Sequence, residues 1–424
     1  MEGWKHDKFK NQIQYKSGYT WSKEQELQKL EPNSVRVLTV SNVQDKLDLE
    51  EELYLKDVSE KDKKEKAVSK NWCIAVSSNG NRKRIGNAVF IKDDTDYLFA
   101  SFLTAFRPKE DSDILPDYFF RWLSSYPIQE RLSSVSEGTT GLGNLSIRYL
   151  RNLDIYFPQQ KEQQSIVNIL SKVDEAILSV HNSIAAAERL KKSLMQNLLT
   201  GKMKPDGTFR TPEEFFIDEK FGKVPVGWKV KKIKDFGDIQ TGKTPPTDEP
   251  EVFSGKENGF MFITPGDLDV AKYIDHTERY VSEKGLRYSY LLPKGTVCEV
   301  CIGSTIGKIG ITTTECCSNQ QITSVIVNND HDAEYLYYTM LSRKEHFKSV
   351  AGINATPQIN KSGYSKYRVL CPKDKREQIA IAKRISSVDK SINVQEQRIK
   401  SLELLKKSLM QNLLTGKIRV NDLL

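Results

Sequence analysis

LKKSLMQNLLTGK occurs twice in this chain, at Leu190–Lys202 and at Leu405–Lys417, without a single change. The match continues upstream at the same displacement of 215 residues, Leu190 to Leu405. EQQSIVNILSKVDEAI from Glu162 aligns with EQIAIAKRISSVDKSI from Glu377, so Asp174 falls on Asp389, Ile177 on Ile392 and Ile184 on Ile399. A proline precedes each stretch, Pro158 and Pro372, with a one-residue slip between the copies. Further upstream the echoes are fainter. Gly3-Trp4 and Gly227-Trp228 each precede a glycine at the same interval, Gly18 and Gly242. DYFFRWLS from Asp117 parallels EYLYYTML from Glu334, and RIGNAVF from Arg84 parallels KIGITTT from Lys308. A chain repeated in this way is a globular unit, a long helix and a linker, then a second unit and helix. Two copies are too few for a solenoid.

The helices follow from the spacing of apolar residues. In the first copy Ile166, Leu170, Val173, Ile177, Val180, Ile184, Ala187, Leu190, Leu194 and Leu198 step by threes and fours. In the second, Ile385, Val388, Ile392, Ile399, Leu402, Leu409 and Leu413 do the same, which is the stripe of an amphipathic helix or coiled coil. Gly201 and Gly416 are placed to terminate them. A helix of about 38 residues is ~57 Å long and outruns a small domain. The natural partner for one stripe is therefore the other. We expect antiparallel pairing through Val173, Ile177, Ile184, Leu194 and Leu198 of the first helix and Val388, Ile392, Ile399, Leu409 and Leu413 of the second. The same helices are the expected partner-docking element. Residues 203–224 are then expected to return the chain along this rod, extended at about 3.3 Å per residue.

The expected fold class is α+β: two pseudo-symmetric mixed units, 1–157 and 225–371, separated by two long antiparallel coiled-coil helices, 158–202 and 372–424, with 203–224 as linker. Within the units, Trp72–Ser78, Asn87–Ile91, Phe260–Thr264, Gly295–Gly303 and Ile322–Val327 read as strands. The loops between them are rich in Gly, Ser, Asn, Gln, Lys and Arg. Arg and Lys suit guanine edges and phosphates, and Asn and Gln suit adenine edges. The candidate DNA contacts are Asn79, Asn81, Arg82, Lys83 and Arg84 in the first unit. In the second they are Lys243, Thr244, Ser304, Thr305, Lys308, Gln320 and Gln321. The alternative for any one loop is an ordinary solvated hairpin tip. Two similar readers with unlike loops would read two unlike half-sites.

Composition narrows the remaining classes. The formal net charge of +8 fits a nucleic-acid partner. No apolar run approaches the roughly 18 residues a membrane span needs. The polar MEGWKHDKFKNQ start lacks a signal-peptide core, so a cytoplasmic protein is expected, its six cysteines reduced. GDIQTGKT (Gly237–Thr244) satisfies the phosphate-binding pattern G-x-x-x-x-G-K-[ST]. Pro245 and Pro246 follow at once, however, where that motif needs a helix. Cys298 and Cys301 form a CxxC within a strand-like run, and small buried hydrophobes are the expectation over zinc ligands. Asp206 with Asp218-Glu219-Lys220 imitates a nuclease metal site, but Gly207 and Pro212 break the intervening chain. No catalytic, cofactor or metal residues are expected.

The duplicated helix ending, the P…EQ…VD helix starts, the GW…G.TP opening at Gly227–Pro245 and ITPGDL at Ile263–Leu268 resemble the specificity (S) subunit of Type I restriction–modification systems. The likeness covers essentially the whole chain. It is weaker in the first unit, where YKSGYTWS stands against IQTGKTPP and VLTVSNV against FITPGDL. The resemblance implies two target recognition domains on helical spacers, without catalytic activity of their own. It implies binding of double-stranded DNA as an asymmetric bipartite target. It implies two methyltransferase subunits that use S-adenosylmethionine, and restriction/translocase subunits that use ATP and Mg2+. The competing expectation is a duplicated coiled-coil adaptor that binds protein only.

Overall fold

A computed structural model describes residues 3–44, 46–136, 142–352 and 357–420. The chain divides into two units, Met1–Asn182 with Gln397–Leu424, and Ser183–Glu396. Each boundary falls inside a long helix, so each unit contains the start of one helix and the end of the other.

The first half of the chain carries strands β1 (Lys5–Lys8), β2 (Ile13–Ser17), β3 (Val35–Leu38), β4 (Cys73–Val76), β5 (Ala88–Phe90), β6 (Leu98–Phe99), β7 (Leu103–Pro108) and β8 (Asp154–Phe157). Helix α1 is Pro116–Leu123 and the 39-residue helix α2 is Gln160–Leu198. The main sheet is antiparallel with order β2-β7-β4-β5. β3 and β6 pair in parallel in a smaller sheet, and β1 pairs with β8. The core is mostly hydrocarbon: Phe9, Phe106, Phe119 and Trp122 meet edge-on, tilted or stacked at 5.8–6.5 Å.

The second half repeats this order. Its strands are β9 (Phe215–Asp218), β10 (Gly222–Pro225), β11 (Trp228–Lys232), β12 (Gly237–Thr241), β13 (Phe260–Ile263), β14 (Tyr273–Ile274), β15 (Val297–Val300), β16 (Ile309–Thr312), β17 (Cys316–Ser318), β18 (Ile322–Val327) and β19 (Arg368–Pro372). Helix α3 is Ala333–Ser342 and α4 is Lys375–Leu413, again of 39 residues. The main sheet has order β12-β18-β15-β16-β14, β13 pairs in parallel with β17, and β11 pairs with β19. Strand alternation sorts the central residues between two cores. Val297 and Cys301 join the cluster that includes the helices, while Cys298 and Val300 join the one under the smaller sheet. The CxxC thiols thus face opposite sides of one strand. Burial pushes Cys298 up to about 12.

Helix pairing occurs once in each unit. Ile166 and Leu170 of α2 share a core with Leu413 and Leu414 in the first, and Leu194 and Leu198 share one with Ile381 and Ile385 in the second. Opposite ends meet, so the pairing is antiparallel. Among the expected seam residues, Val173, Leu194, Leu198, Ile392 and Leu413 are buried; Ile177, Ile184, Val388, Ile399 and Leu409 are half-buried. The duplicated charges explain why these stretches match. Asp174 bonds Lys406 at 2.7 Å in one unit, and Asp389 bonds Lys191 at 2.5 Å in the other. The same lysine of the repeat meets the same aspartate of the opposite helix. Each aspartate also holds a side chain from the globular unit, Arg121 of α1 on Asp174 and Tyr338 of α3 on Asp389. Burial alone would raise Asp174, but the Lys406 and Arg121 cations hold its carboxyl below the usual range.

A second joint repeats as closely. The Gln163 amide donates to Pro158 O (2.8 Å) and accepts from Leu115 N (2.8 Å). Gln378 donates to Pro372 O (3.0 Å) and accepts from Asp332 N (3.0 Å). Both glutamines are buried, and the one-residue slip at the prolines is absorbed in this joint.

Two expectations are corrected. The linker is not an extended return strap. Met203 bridges Phe209, then β9 and β10 form a hairpin, all within the second unit. The second globular unit begins where α2 ends, so no return is required. Arg210 anchors the segment by donating to Gly201 O (2.8 Å) and pairing with Glu377 (2.5 Å). Within it Asp206 accepts from Thr208 N, and Asp218 from Lys220 and Phe221 N, which are turn-capping roles. The alignment of RIG with KIG is also off by three residues. Gly86 N donates to Val76 O and Gly307 N to Val300 O, while Ile85 N donates to Arg82 O and Ile306 N to Gly303 O. Arg84-Ile85-Gly86 therefore corresponds to Thr305-Ile306-Gly307, and the first unit has three more residues in this loop.

Candidate nucleic-acid interface

In each unit the loops at one end of the main sheet are hydrogen-bonded into a continuous rim. Its corner is a glycine. A Cβ at Gly18 would collide with Ala100 O, and one at Gly242 with Asn319 O. Only glycine lets the chain leaving the first sheet strand cross so near the next loop. Tyr19 N then donates to Phe99 O at 2.7 Å, and Lys243 N to Ser318 O at 2.8 Å. The stretch that imitates a phosphate-binding motif is thus strand β12 followed by this crossing, with no helix after it.

The second part of the rim is a tight turn. Leu103 N donates to Ala100 O, enclosing Ser101 and Phe102; Ile322 N donates to Asn319 O, enclosing Gln320 and Gln321. The third is the loop after the central strand. Ser77 N donates to Phe102 O at 2.8 Å, and Cys301 N to Gln321 O at 2.8 Å. A short segment closes the far side, with Leu145 N donating to Ser77 O and Ile359 N to Cys301 O. It presents exposed amides, Asn144 beside Ser78 and Gln358 beside Ile302.

The fourth part shows how unlike sequences give one geometry. VLTVSNV and FITPGDL share few residues, yet Thr39 N donates to Asn42 Oδ1 and Thr264 N to Asp267 Oδ2, each at 2.7 Å. An amide or a carboxylate oxygen at the third position closes the same turn. A cation from the third loop braces it in both units. Arg84 donates to Val40 O (3.0 Å) and Val43 O (2.9 Å), and Lys308 donates to Pro265 O (3.2 Å). These two cations do the same work from non-equivalent positions.

The candidate residues therefore gather on one rim per unit. Asn81, Arg82 and Lys83 are exposed in the first. Asn79 accepts from Asn81 N (2.8 Å) and Asn81 from Lys83 N (3.1 Å), which fixes that loop. In the second, Lys243, Ser304 and Gln320 are exposed, and Thr244, Thr305 and Gln321 are half-buried. Thr244 donates to Gln320, and Gln321 exchanges hydrogen bonds with Asn319. Arg84 and Lys308 serve first as braces. The sequence reading missed Ser101, Phe102, Asn144 and Gln358, and also Ser289, whose hydroxyl donates to Lys243 O at 2.9 Å beside the exposed Tyr290. Shifting ASFLTAF onto NQQITSV would have found the first two.

Beneath the second rim lies a buried carboxyl. Glu299 on β15 accepts from the Tyr364 hydroxyl at 3.1 Å, and its other oxygen has no hydrogen-bond partner. Burial pushes its pKa up to about 8.

The fold is a tandem duplication of one α+β unit with its rim, each copy packed on paired helix ends. The chain belongs to the family whose model is described as Type I restriction modification DNA specificity domain, which matches residues 1–189 and again 225–404. It is 29% identical over 304 residues to the type I restriction enzyme MjaVIII specificity subunit of Methanocaldococcus jannaschii, covering 69% of this chain and 68% of that one. It is 23% identical to the HindI specificity subunit of Haemophilus influenzae, covering 78% and 84%. Among solved structures, the S subunit of a type I restriction–modification system from M. genitalium shares the fold at TM-score 0.57 and 15% identity, with 97% and 96% of the two chains covered. A chain from a structure of type I system assembly aligns at TM-score 0.60 and 15% identity, covering 99% of each. Among the described residues no helix is long and apolar enough to cross a membrane.

Proposed function

We propose that this chain reads double-stranded DNA at an asymmetric target of two unlike half-sites, one per rim, and holds methyltransferase and restriction subunits on it. The observation that carries the reading is the duplicated rim, with matched backbone and unlike side chains. Matched backbones give two readers the same way of approaching DNA. Unlike side chains give them different base preferences. Exposed Lys83 and Lys243 suit phosphates, while Asn81, Gln320 and the exposed amides of Asn144 and Gln358 suit base edges.

The chemistry belongs to the partners in this reading. Methyl transfer would use S-adenosylmethionine on two methyltransferase subunits, and translocation and cleavage would use ATP and Mg2+ on restriction subunits. The long helices expose apolar side chains suited to docking, Leu178 and Leu404 in the first unit and Leu190 and Val394 in the second. The protein would work in the cytoplasm, where its DNA is.

The test is co-expression with the cognate methyltransferase subunit, followed by single-molecule sequencing of methylated adenines across a genome. A split motif of two unlike half-sites with a fixed spacer is expected. A stable complex that yields no motif would favour a protein-only adaptor.

A further inference from the structure

The two rims differ most sharply at their centre. The turn that donates no side chain to the core holds Ser101 and Phe102 in the first unit and Gln320 and Gln321 in the second. Phe102 is 51% exposed although it is a phenylalanine, on a unit whose other large aromatics are mostly packed inside. It is not a loose tip. Its carbonyl accepts from both Ser77 N (2.8 Å) and Ser78 N (3.1 Å), the residues that open the basic loop reaching Arg84. On the other side, Gly18 brings the crossing chain against the same turn. The backbone is thus fixed from two directions while the ring faces out of the rim. Asn79 and Asn144 stand on the adjoining strands, so an apolar ring sits among polar readers.

Leaving a phenyl ring in water on a rigid turn costs free energy that burial against a partner recovers. A base edge offers few apolar surfaces. In the major groove the only methyl group is that of thymine, and phenylalanine is one of the side chains that contacts it. The amides at Gln320 and Gln321 instead suit the donor–acceptor pair of adenine.

We propose that Phe102 is a specificity-determining residue that makes an apolar contact with a thymine in one half-site, at the rim position Gln321 fills for the other half-site. This rests on the DNA-reading function proposed above. The same backbone position thereby carries opposite chemistries in the two readers, which makes the target asymmetric.

The experiment compares the methylation motif of the wild-type complex with those of Phe102→Ala, Phe102→Leu and Phe102→Gln complexes, each purified with the methyltransferase subunit. In Phe102→Ala we expect one thymine-containing position of one half-site to lose selectivity roughly tenfold. The other half-site and the spacer should be unchanged, which reports that the protein is folded and assembled. Phe102→Leu, still apolar, should keep the thymine preference more closely than Ala. Phe102→Gln should move selectivity at that same position away from thymine. If all three variants return the wild-type motif at wild-type frequency, or lose methylation alike with the complex intact, Phe102 is not a thymine contact and the proposal is overturned. A wild-type complex with no split motif would instead refute the underlying reading, so the two failures are distinguishable.

Discussion

The two units share a backbone plan but fill it with different chemistry. Where the first has Ala75 and Leu150, the second has Glu299 and Tyr364, bonded to each other inside the protein. Where the first has Ile114, the second has His331, whose ring meets Lys231 Nζ at 2.6 Å and Asn328 Oδ1 at 2.7 Å. Where Arg121 meets its helix aspartate, the second unit uses Tyr338. Both units have hydrocarbon cores, but the second adds interior hydrogen bonds at Glu299 and His331 where the first has hydrocarbon, and the first buries the Arg121 guanidinium where the second has Tyr338. A fold specified by strand alternation and turn geometry accepts both fillings, even with one oxygen of Glu299 left without a hydrogen-bond partner. Their energetic consequences differ, because buried titratable groups couple stability to pH.

The largest effect should come from the residues that the repeat makes identical. Leu198 and Leu413 are both fully buried, in the second and first unit respectively. Leu198→Ala and Leu413→Ala should each cost about 2–5 kcal/mol. Hydrogen exchange should place the loss mainly in the unit that holds the mutated leucine. Loss spread evenly over both units for either variant would break the two-unit description.

The aspartate joints should separate the units further. Asp174→Ala leaves the buried Arg121 guanidinium with the Ser171 hydroxyl at 3.2 Å and Asp117 at 3.4 Å, and should cost about 3 kcal/mol. Asp389→Ala removes the Lys191 ion pair and the acceptor of the Tyr338 hydroxyl, which keeps the contact from Lys272 Nζ at 3.3 Å, and should cost about 1–2 kcal/mol. Urea unfolding of the full chain measures both; equal losses would show that the guanidinium and hydroxyl joints are equivalent.

The smallest effect per step is in pH. Glu299 ionises near 8 when folded and nearer 4.5 when unfolded. The unfolded carboxyl therefore releases its proton first as pH rises. Stability falls from about pH 4.5 to 8, by at most about 1.4 kcal/mol per unit. His331, held neutral by burial and Lys231 with its pKa lowered to about 4, acts on the acid side. It costs stability as pH falls below about 6.5. Glu299→Gln keeps an acceptor for Tyr364 and should flatten the alkaline slope in the second unit alone, measured by unfolding between pH 5 and 8. An unchanged slope would remove Glu299 as its cause.

Much of this was legible in the sequence for reasons that lie in local physics. Apolar residues at steps of three and four specify a long amphipathic helix wherever they occur, and an unchanged Leu-Lys-Lys-Ser-Leu repeat requires two equivalent surroundings. The pairing of Lys191 with Asp389 and of Lys406 with Asp174 satisfies that requirement. The strands were likewise legible, since alternation acts over a few residues; Gly18 and Gly242 showed in the sequence only as a matched interval, and their crossing of Ala100 and Asn319 did not.

What tertiary structure decided is contact between segments distant in sequence. VLTVSNV and FITPGDL close the same turn because only one side-chain oxygen, from Asn42 or Asp267, is needed, so the letters around it are free to differ. RIG looked like KIG because neighbouring glycines compete in an alignment, and only the hydrogen bonds of Gly86 to Val76 and Gly307 to Val300 choose between them. Residues 203–224 could have run extended; the site where β11 begins made a hairpin sufficient. Phe102 reads as a core residue in ASFLTAF, since a phenylalanine in an apolar run is ordinarily buried. Its place on the rim follows from a turn whose ends are set by Gly18 and Ser77, and no local pattern encodes that meeting.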